Sequence, residues 1–253
     1  MKRYAKIAAV ARLLPGKTEL RAGECFSLVR DVIVSDTATL FDAIRSGDLS
    51  QVRSLLDRNP SIASSKNESG ASAVLLSIYT GRDEIRELLL ARGAPLELHE
   101  AAAAGNLHLV KQFVGKNPTL AKSFSPDGFP VFALACFFGH LDTARYLAEQ
   151  GADIYAAATN GTGYNALTAA VAAGHTSIVE WLLDSGLDAN YRYGAGYTPL
   201  LTAAANGHLE IVRLLVAHKA DLHATTNDDK GAIALASERN HSHVAEFLRE
   251  LGA

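Results

Sequence analysis

The chain has 253 residues, nearly half of them hydrophobic and a fifth charged, with a formal net charge of −3. That composition excludes a chain disordered throughout, and its slight acidity gives no reason to expect a polyanionic partner. Cys25 and Cys136 are the only cysteines, too few for a disulfide framework or a zinc quartet, which points to a reducing compartment; no apolar run reaches the roughly 18–20 residues of a membrane span.

Residues 1–35 stand apart from the rest. They carry seven basic side chains (Lys2, Arg3, Lys6, Arg12, Lys17, Arg21, Arg30) against Glu19, Glu24 and Asp31, a balance of +4 that leaves −7 for the remainder. A signal peptide needs an unbroken apolar run after its basic start, but "IAAVARLL" is short, is interrupted by Arg12, and leads to no clean small-x-small site. Export is therefore not expected. The segment reads as a basic, poorly ordered extension, or as residues ahead of a mis-assigned start, since Met1 is the only methionine.

From residue 36 a short Ala-rich apolar segment recurs, each time closed by Gly or a substitute. In chain order these segments are "LFDAIRSG", "VLLSIYTG", "HEAAAAG", "FALACFFG", "LTAAVAAG", "LLTAAANG" and "IALASERN". The closing positions are Gly47, Gly81, Gly105, Gly139, Gly174, Gly207 and Asn240, spaced 34, 24, 34, 35, 33 and 33 residues apart. A second apolar segment follows each one, such as "DEIRELLL", "TSIVEWLL" or "LEIVRLLV"; in the last, Leu209, Val212 and Leu215 fall at helical spacing. One repeat is thus a short helix, a Gly-marked turn, a second helix and a connector. A helix pair this short cannot bury its own apolar face, so stacking of repeats must supply the core.

The sixth repeat carries the fullest signature: Thr198-Pro199-Leu200-Leu201-Thr202-Ala203-Ala204-Ala205-Asn206-Gly207-His208. Thr198 suits a helix N-cap, Pro199 suits the first turn and Gly207 suits a tight turn between helices. With "GADI" (151–154) and "GLDAN" (186–190) after second helices, the pattern resembles the ankyrin repeat over about residues 37–253. The resemblance implies an all-α, ankyrin-like repeat solenoid of about seven stacked helix-turn-helix repeats joined by short hairpin connectors, occupying residues 36–253.

Several departures from that pattern are visible. Leu201 stands where the family has His, and the first and third repeats end in "RNPSIA" and "KNPTLA". Those two repeats lie 58 residues apart and match through Gly47/Gly105, Val52/Val110 and Gly70/Gly128, which suggests a duplicated two-repeat block. The spacing of 24 leaves no room for a connector, so a hairpin finger should be missing between the second and third repeats. In the last helix Glu246, Arg249 and Glu250 read as the polar outer face of a cap.

The histidines admit two readings. His140, His175, His208 and His241 share one repeat position, which favours a structural task, hydrogen bonding near the helix–helix turn, over catalysis. Helix pairs pack about 8–10 Å apart while metal–His bonds are about 2 Å, so this column cannot close on one ion. His241 and His243, two apart, should face differently. Cys136 occupies an Ala position and reads as a small core residue. No phosphate loop, nucleophile elbow or paired-cysteine motif is present. An enzyme would need a cleft at the irregular junction 93–128, built from Glu97, His99, Glu100 and His108, of which the adjacent His99 and Glu100 should diverge. A third reading docks the basic segment 1–35 on an anionic membrane, but its charges are diluted.

The resemblance implies binding of a partner protein on the concave side, through hairpin tips and exposed first-helix positions. The position before the signature Thr holds Ala71, Phe129, Tyr164, Tyr197 and Lys230; the two before the turn hold Tyr79-Thr80, Phe137-Phe138, Ala172-Ala173, Ala205-Asn206 and Glu238-Arg239. Candidate contacts are therefore Tyr79, Phe129, Phe137, Phe138, Tyr164, Tyr197 and Asn206, with Tyr191, Arg192 and Tyr193 at a fingertip. Ala205 is a further position to vary. The expectation is a cytoplasmic, monomeric, non-enzymatic binding module with an unidentified protein partner, and with no cofactor, metal, nucleic acid or membrane.

Overall fold

The computed structural model describes residues 36–252, in two compact units that meet in the chain at Pro95 and Leu96. Both are helical: among the described residues there are helices, single bridge pairs and no strands. The expected stacked-helix architecture is what the chain adopts.

The first unit holds α1 (residues 36–46), α2 (Leu49–Arg58), α3 (Ala73–Tyr79) and α4 (Asp83–Ala91). Leu40, Ile44, Val52, Leu56, Leu75 and Leu89 are fully buried, the apolar stripes that short amphipathic helices must bury against each other. Asp48 caps α2 by accepting from the Gln51 amide, and Ser72 caps α3 by accepting from the Leu75 amide. "PSIAS" forms a 3-10 turn (Pro60–Ser64) where a proline ends α2's reach, and the Lys66–Ser72 bridge closes a finger. The Arg82 guanidinium lies across Gly47 and donates to the Arg45 carbonyl at 3.3 Å.

Residues 92–97 carry no bridge pair and lead directly into the second unit. That unit has five helix pairs: α5 (Leu98–Ala103) with α6 (Leu107–Lys116), α7 (Val131–Phe137) with α8 (Leu141–Glu149), α9 (Ala166–Ala173) with α10 (Thr176–Asp184), α11 (Pro199–Asn206) with α12 (Leu209–Ala217), and α13 (Ala232–Glu238) with α14 (Ser242–Glu250). First helices pack on first helices through fully buried alanines (Ala101, Ala135, Ala170, Ala203, Ala236), and Leu147, Leu182, Leu215 and Leu248 close the core from the second helices. Alanine contributes no side chain beyond Cβ, so the backbones approach closely.

Thr198 accepts from the Leu201 amide at 3.3 Å, Pro199 opens α11, and Gly207 closes it in the left-handed region (φ 74°). Asn165 and Thr168 form a reciprocal capping box at the start of α9. The fingers are clipped by bridges Phe124–Pro130, Tyr193–Tyr197 and Thr225–Gly231. Each finger also bonds the next: Thr159 N to Gly128 O (2.9 Å), Gly194 N to Thr162 O (3.2 Å) and Asn227 N to Ala195 O (2.9 Å). On the second helices cations lie over aromatic rings of the following repeat: Lys111 over Tyr146, Arg145 over Trp181 and Arg213 over Phe247.

Candidate functional site

The histidine position resolves first. His140 Nε2 bonds the Ala103 carbonyl at 3.0 Å and His175 Nε2 bonds the Phe137 carbonyl at 2.9 Å, while His208 bonds the Ala172 carbonyl. Each carbonyl lies two residues before the turn glycine of the preceding repeat, so the column ties repeats together along the second unit. The rings of His140, His175, His208 and His241 occupy the space that a Cβ at Gly105, Gly139, Gly174 and Gly207 would need. His241 and His243 do not diverge. His241 stands outside α14 as its N-cap, so helical spacing does not separate it from His243, whose Nε2 lies 3.3 Å from the Gly207 carbonyl; the two rings are 6.3 Å apart.

The junction residues cap a helix. His99 and Glu100 are both buried at the first turn of α5 and share Glu97: the Glu97 amide donates to Glu100 Oε2 at 2.5 Å, and His99 Nδ1 lies 3.8 Å from Glu97 Oε2. This is a reciprocal cap on a helix N-terminus, where carboxylates offset unpaired N–H groups. His108 is exposed on α6 beside Gln112. Among the described residues no group of three or more His, Cys, Asp or Glu is placed to hold a metal.

The partner-facing candidates fall into two clusters and some outliers. Phe137 ends α7 with 41% of its surface exposed, and Phe138 stands edge-on to it, half-buried, at 5.0 Å between ring centres. Phe129, half-buried, precedes α7 on the same repeat; its amide and carbonyl are held by Ser125. The second cluster is centred on Tyr193, with Tyr164 at 5.0 Å, Tyr191 stacked at 6.4 Å and Tyr197 at 6.5 Å. Tyr79, in the first unit, is 37% exposed at the end of α3.

Tyr193 does not present a fingertip ring. It is only 8% exposed, and its hydroxyl bonds Thr202 in α11, because the finger folds its inward side onto the first helix. Burial pushes its phenol up to about 12, against the opposing pull of the Thr202 bond. Its neighbours are partly committed as well: Tyr191 Oη donates to Gly163 O at 2.9 Å, and the exposed Arg192 donates to Thr225 O at 2.9 Å. Ala205 is only 3% exposed, and Asn206 bridges repeats, donating to Ala172 O and accepting from Arg239, each at 3.2 Å. Sequence pattern places these positions correctly on the repeat but does not show that a neighbouring repeat occupies them.

The seventh repeat ends the face. Lys230 and Glu238 hold the positions of Tyr197 and Ala205 and pair at 2.8 Å, with Glu238 holding the Lys230 ammonium above its ordinary range. That contact shows that finger-base and first-helix side chains of one repeat reach one another across this face. The seventh repeat thus carries a charged pair where the sixth has Tyr197 and Ala205.

Comparison with known proteins agrees with the geometry. A family model described as ankyrin repeats (3 copies) matches residues 98–193, and one described as ankyrin repeats (many copies) matches 173–216 and 200–249. The rat "Ankyrin repeat and SAM domain-containing protein 6" is 28% identical over 122 residues, 48% of this chain and 11% of that protein. A Caenorhabditis elegans "Transient receptor potential cation channel subfamily A member 1 homolog" is 30% identical over 115 residues, 42% of this chain and 9% of that protein. The human "DNA-binding protein RFXANK" is 34% identical over 96 residues, 37% of each chain. The chain thus spans about a tenth of the length of the first two. Among the described residues no helix is long and apolar enough to cross a membrane.

Proposed function

Because the chain belongs to the ankyrin repeat family, we propose that it is a non-enzymatic module that binds a partner protein on the concave face of its second unit. Ankyrin repeats generally serve as protein–protein interaction modules. The observation that carries the reading is Phe137: a large ring with 41% of its surface exposed, braced edge-on by Phe138, at a position where folding needs no aromatic. Exposed aromatics set in a firm frame are what anchor protein interfaces. Tyr164 and Tyr197 extend the surface, and the Lys230–Glu238 pair bounds it.

The module acts as a cytoplasmic monomer and needs no cofactor. Nucleic acid is a poor fit, since residues 96–253 carry ten Lys or Arg against sixteen Asp or Glu, the reverse of a basic footprint. The test compares affinity capture, read by mass spectrometry, on the full chain and on the F137A/F138A variant. The double variant should lose a protein that the parent retains while keeping its unfolding midpoint within about 0.5 M urea. A large loss of stability would make the rings core residues, and unchanged capture would remove them from the interface.

A further inference from the structure

Four imidazoles stand in one line along the second unit, and the partner surface uses none of them. His140, His175 and His208 bond carbonyls of the preceding repeat, and the rings of all four, with His241, sit against its turn glycine. A carbonyl can only accept, so in the neutral His140 and His175 rings Nε2 carries the proton and Nδ1 is bare. For His140 and His241 the Nδ1 edge is the one nearest the glycine. The first unit has Arg82 over Gly47 at the equivalent place, a group whose charge does not change in this range.

We propose that the histidine column is an acid-sensitive joint: as pH falls from about 7 to about 5, charge accumulates along it and the second unit loosens around the His208 repeat, while the first unit, with Arg82 there, does not respond.

His175 and His208 each have a column member on both sides, but only at His208 does the following turn add a further histidine and an arginine, which makes it the weak point. The turn before it presents His175, and the turn after it presents His241 and His243, with Arg239 lying on the Ala205 carbonyl and on Asn206. In its own turn Asn206 shares the Ala172 carbonyl, and the acidic Glu210 lies 3.7 Å from Arg213. Burial holds the His208 imidazole below its ordinary range, and His241 and His175 add to that against the opposing bond to Ala172. A histidine depressed in the folded state contributes stability that is whole above its unfolded value, about 6.5, and is lost as pH falls toward the folded value. In a solenoid, where each repeat is held by its neighbours, a loosened middle repeat weakens both sides.

The test uses urea unfolding of the full chain followed by Trp181, the sole tryptophan, which lies on α10 in the second unit. Parent and H208Q are compared at about pH 7.5 and about pH 5; glutamine keeps an N–H donor for the Ala172 carbonyl and does not titrate. The parent's midpoint should fall by about 0.5 M more than that of the variant. Equal falls would overturn the proposal. Should H208Q fail to fold, the His208 Cε1 proton titrated by NMR in the parent decides: an apparent pKa below about 6.5 supports the joint, and one at or above it overturns it.

Discussion

His175 fills the space where a side chain at Gly139 would begin, its Cε1 2.7 Å from that Cβ position, while its Nε2 meets the Phe137 carbonyl at 2.9 Å. The Gly-His pair that recurs along the chain is therefore one device whose halves act in different repeats. Gly139 receives His175, Gly174 receives His208 and Gly207 receives His241, so the two residues adjacent in sequence do not serve each other.

Two glycine substitutions separate this packing from backbone strain. Gly139 (φ 83°) and Gly151 (φ 85°) share the left-handed conformation, but a Cβ at Gly151 meets nothing within 4 Å. Alanine at either site costs about 1–2 kcal/mol for the backbone. G139A must also displace the His175 ring, adding about 1–3 kcal/mol. Urea unfolding read through Trp181 should therefore show a clearly larger loss for G139A than for G151A. Equal losses would mean that the ring swings aside freely.

The tyrosine cluster predicts an alkaline limit. Tyr193 is raised to about 12 chiefly by burial, from an ordinary phenol value near 10. A group raised in the folded state contributes stability that is whole below the unfolded value and is lost as pH rises through the folded one. The second unit should therefore lose stability between about pH 10 and pH 12. Y193F, which cannot ionise, should lose less over that window, at the cost of the Thr202 bond at neutral pH. Phenolate absorbance that titrates all eight tyrosines of the folded chain near pH 10 would contradict the burial.

Register was legible because it repeats: one glycine, one histidine and one alanine column every 33 or so residues declare the helices, their order and the structural role of His140, His175, His208 and His241. Partners across the repeat boundary were not legible, since spacing gives a residue's place in its own repeat and nothing about what the next repeat lays on it. Tyr193 shows this well. Its fingertip position suggests exposure, yet the finger turns its ring toward Thr202 and between Tyr164 and Tyr197. Ala205 is covered in the same way, and the half-buried Asn206 is bonded by Arg239 of the next repeat. The exposure of Phe137 needed no neighbour to be read, because it ends α7 beyond the residues that the helix buries.

The back of the second unit offers a third test. Arg213 stands 4.3 Å from the centre of the Phe247 ring, closer than Arg145 to Trp181 (5.8 Å) or Lys111 to Tyr146 (5.4 Å). The series skips one step, where Glu180 occupies the cation's place and Leu214 the ring's. R213Q should loosen α14 by about 0.5–1 kcal/mol, seen as faster amide exchange in α14 with the other second helices unchanged. Uniform exchange across the unit would show that the contact carries no local stability.

The last prediction concerns Cys136. Its thiol is fully buried among the first helices, and burial pushes its ionisation well above the ordinary thiol range. Reaction with a thiol reagent needs the thiolate and access to it, and the folded second unit denies both. In a C25S variant, where Cys136 is the single thiol, a disulfide reagent at about pH 8 should label almost none of the native chain in the minutes that a free thiol takes. Urea should release the reaction in step with the Trp181 transition, because α7 lies between α5 and α9 and exposes its inner face only when that stack opens. Rapid stoichiometric labelling without urea would place Cys136 at the surface and would break the assignment of this position to the alanine column.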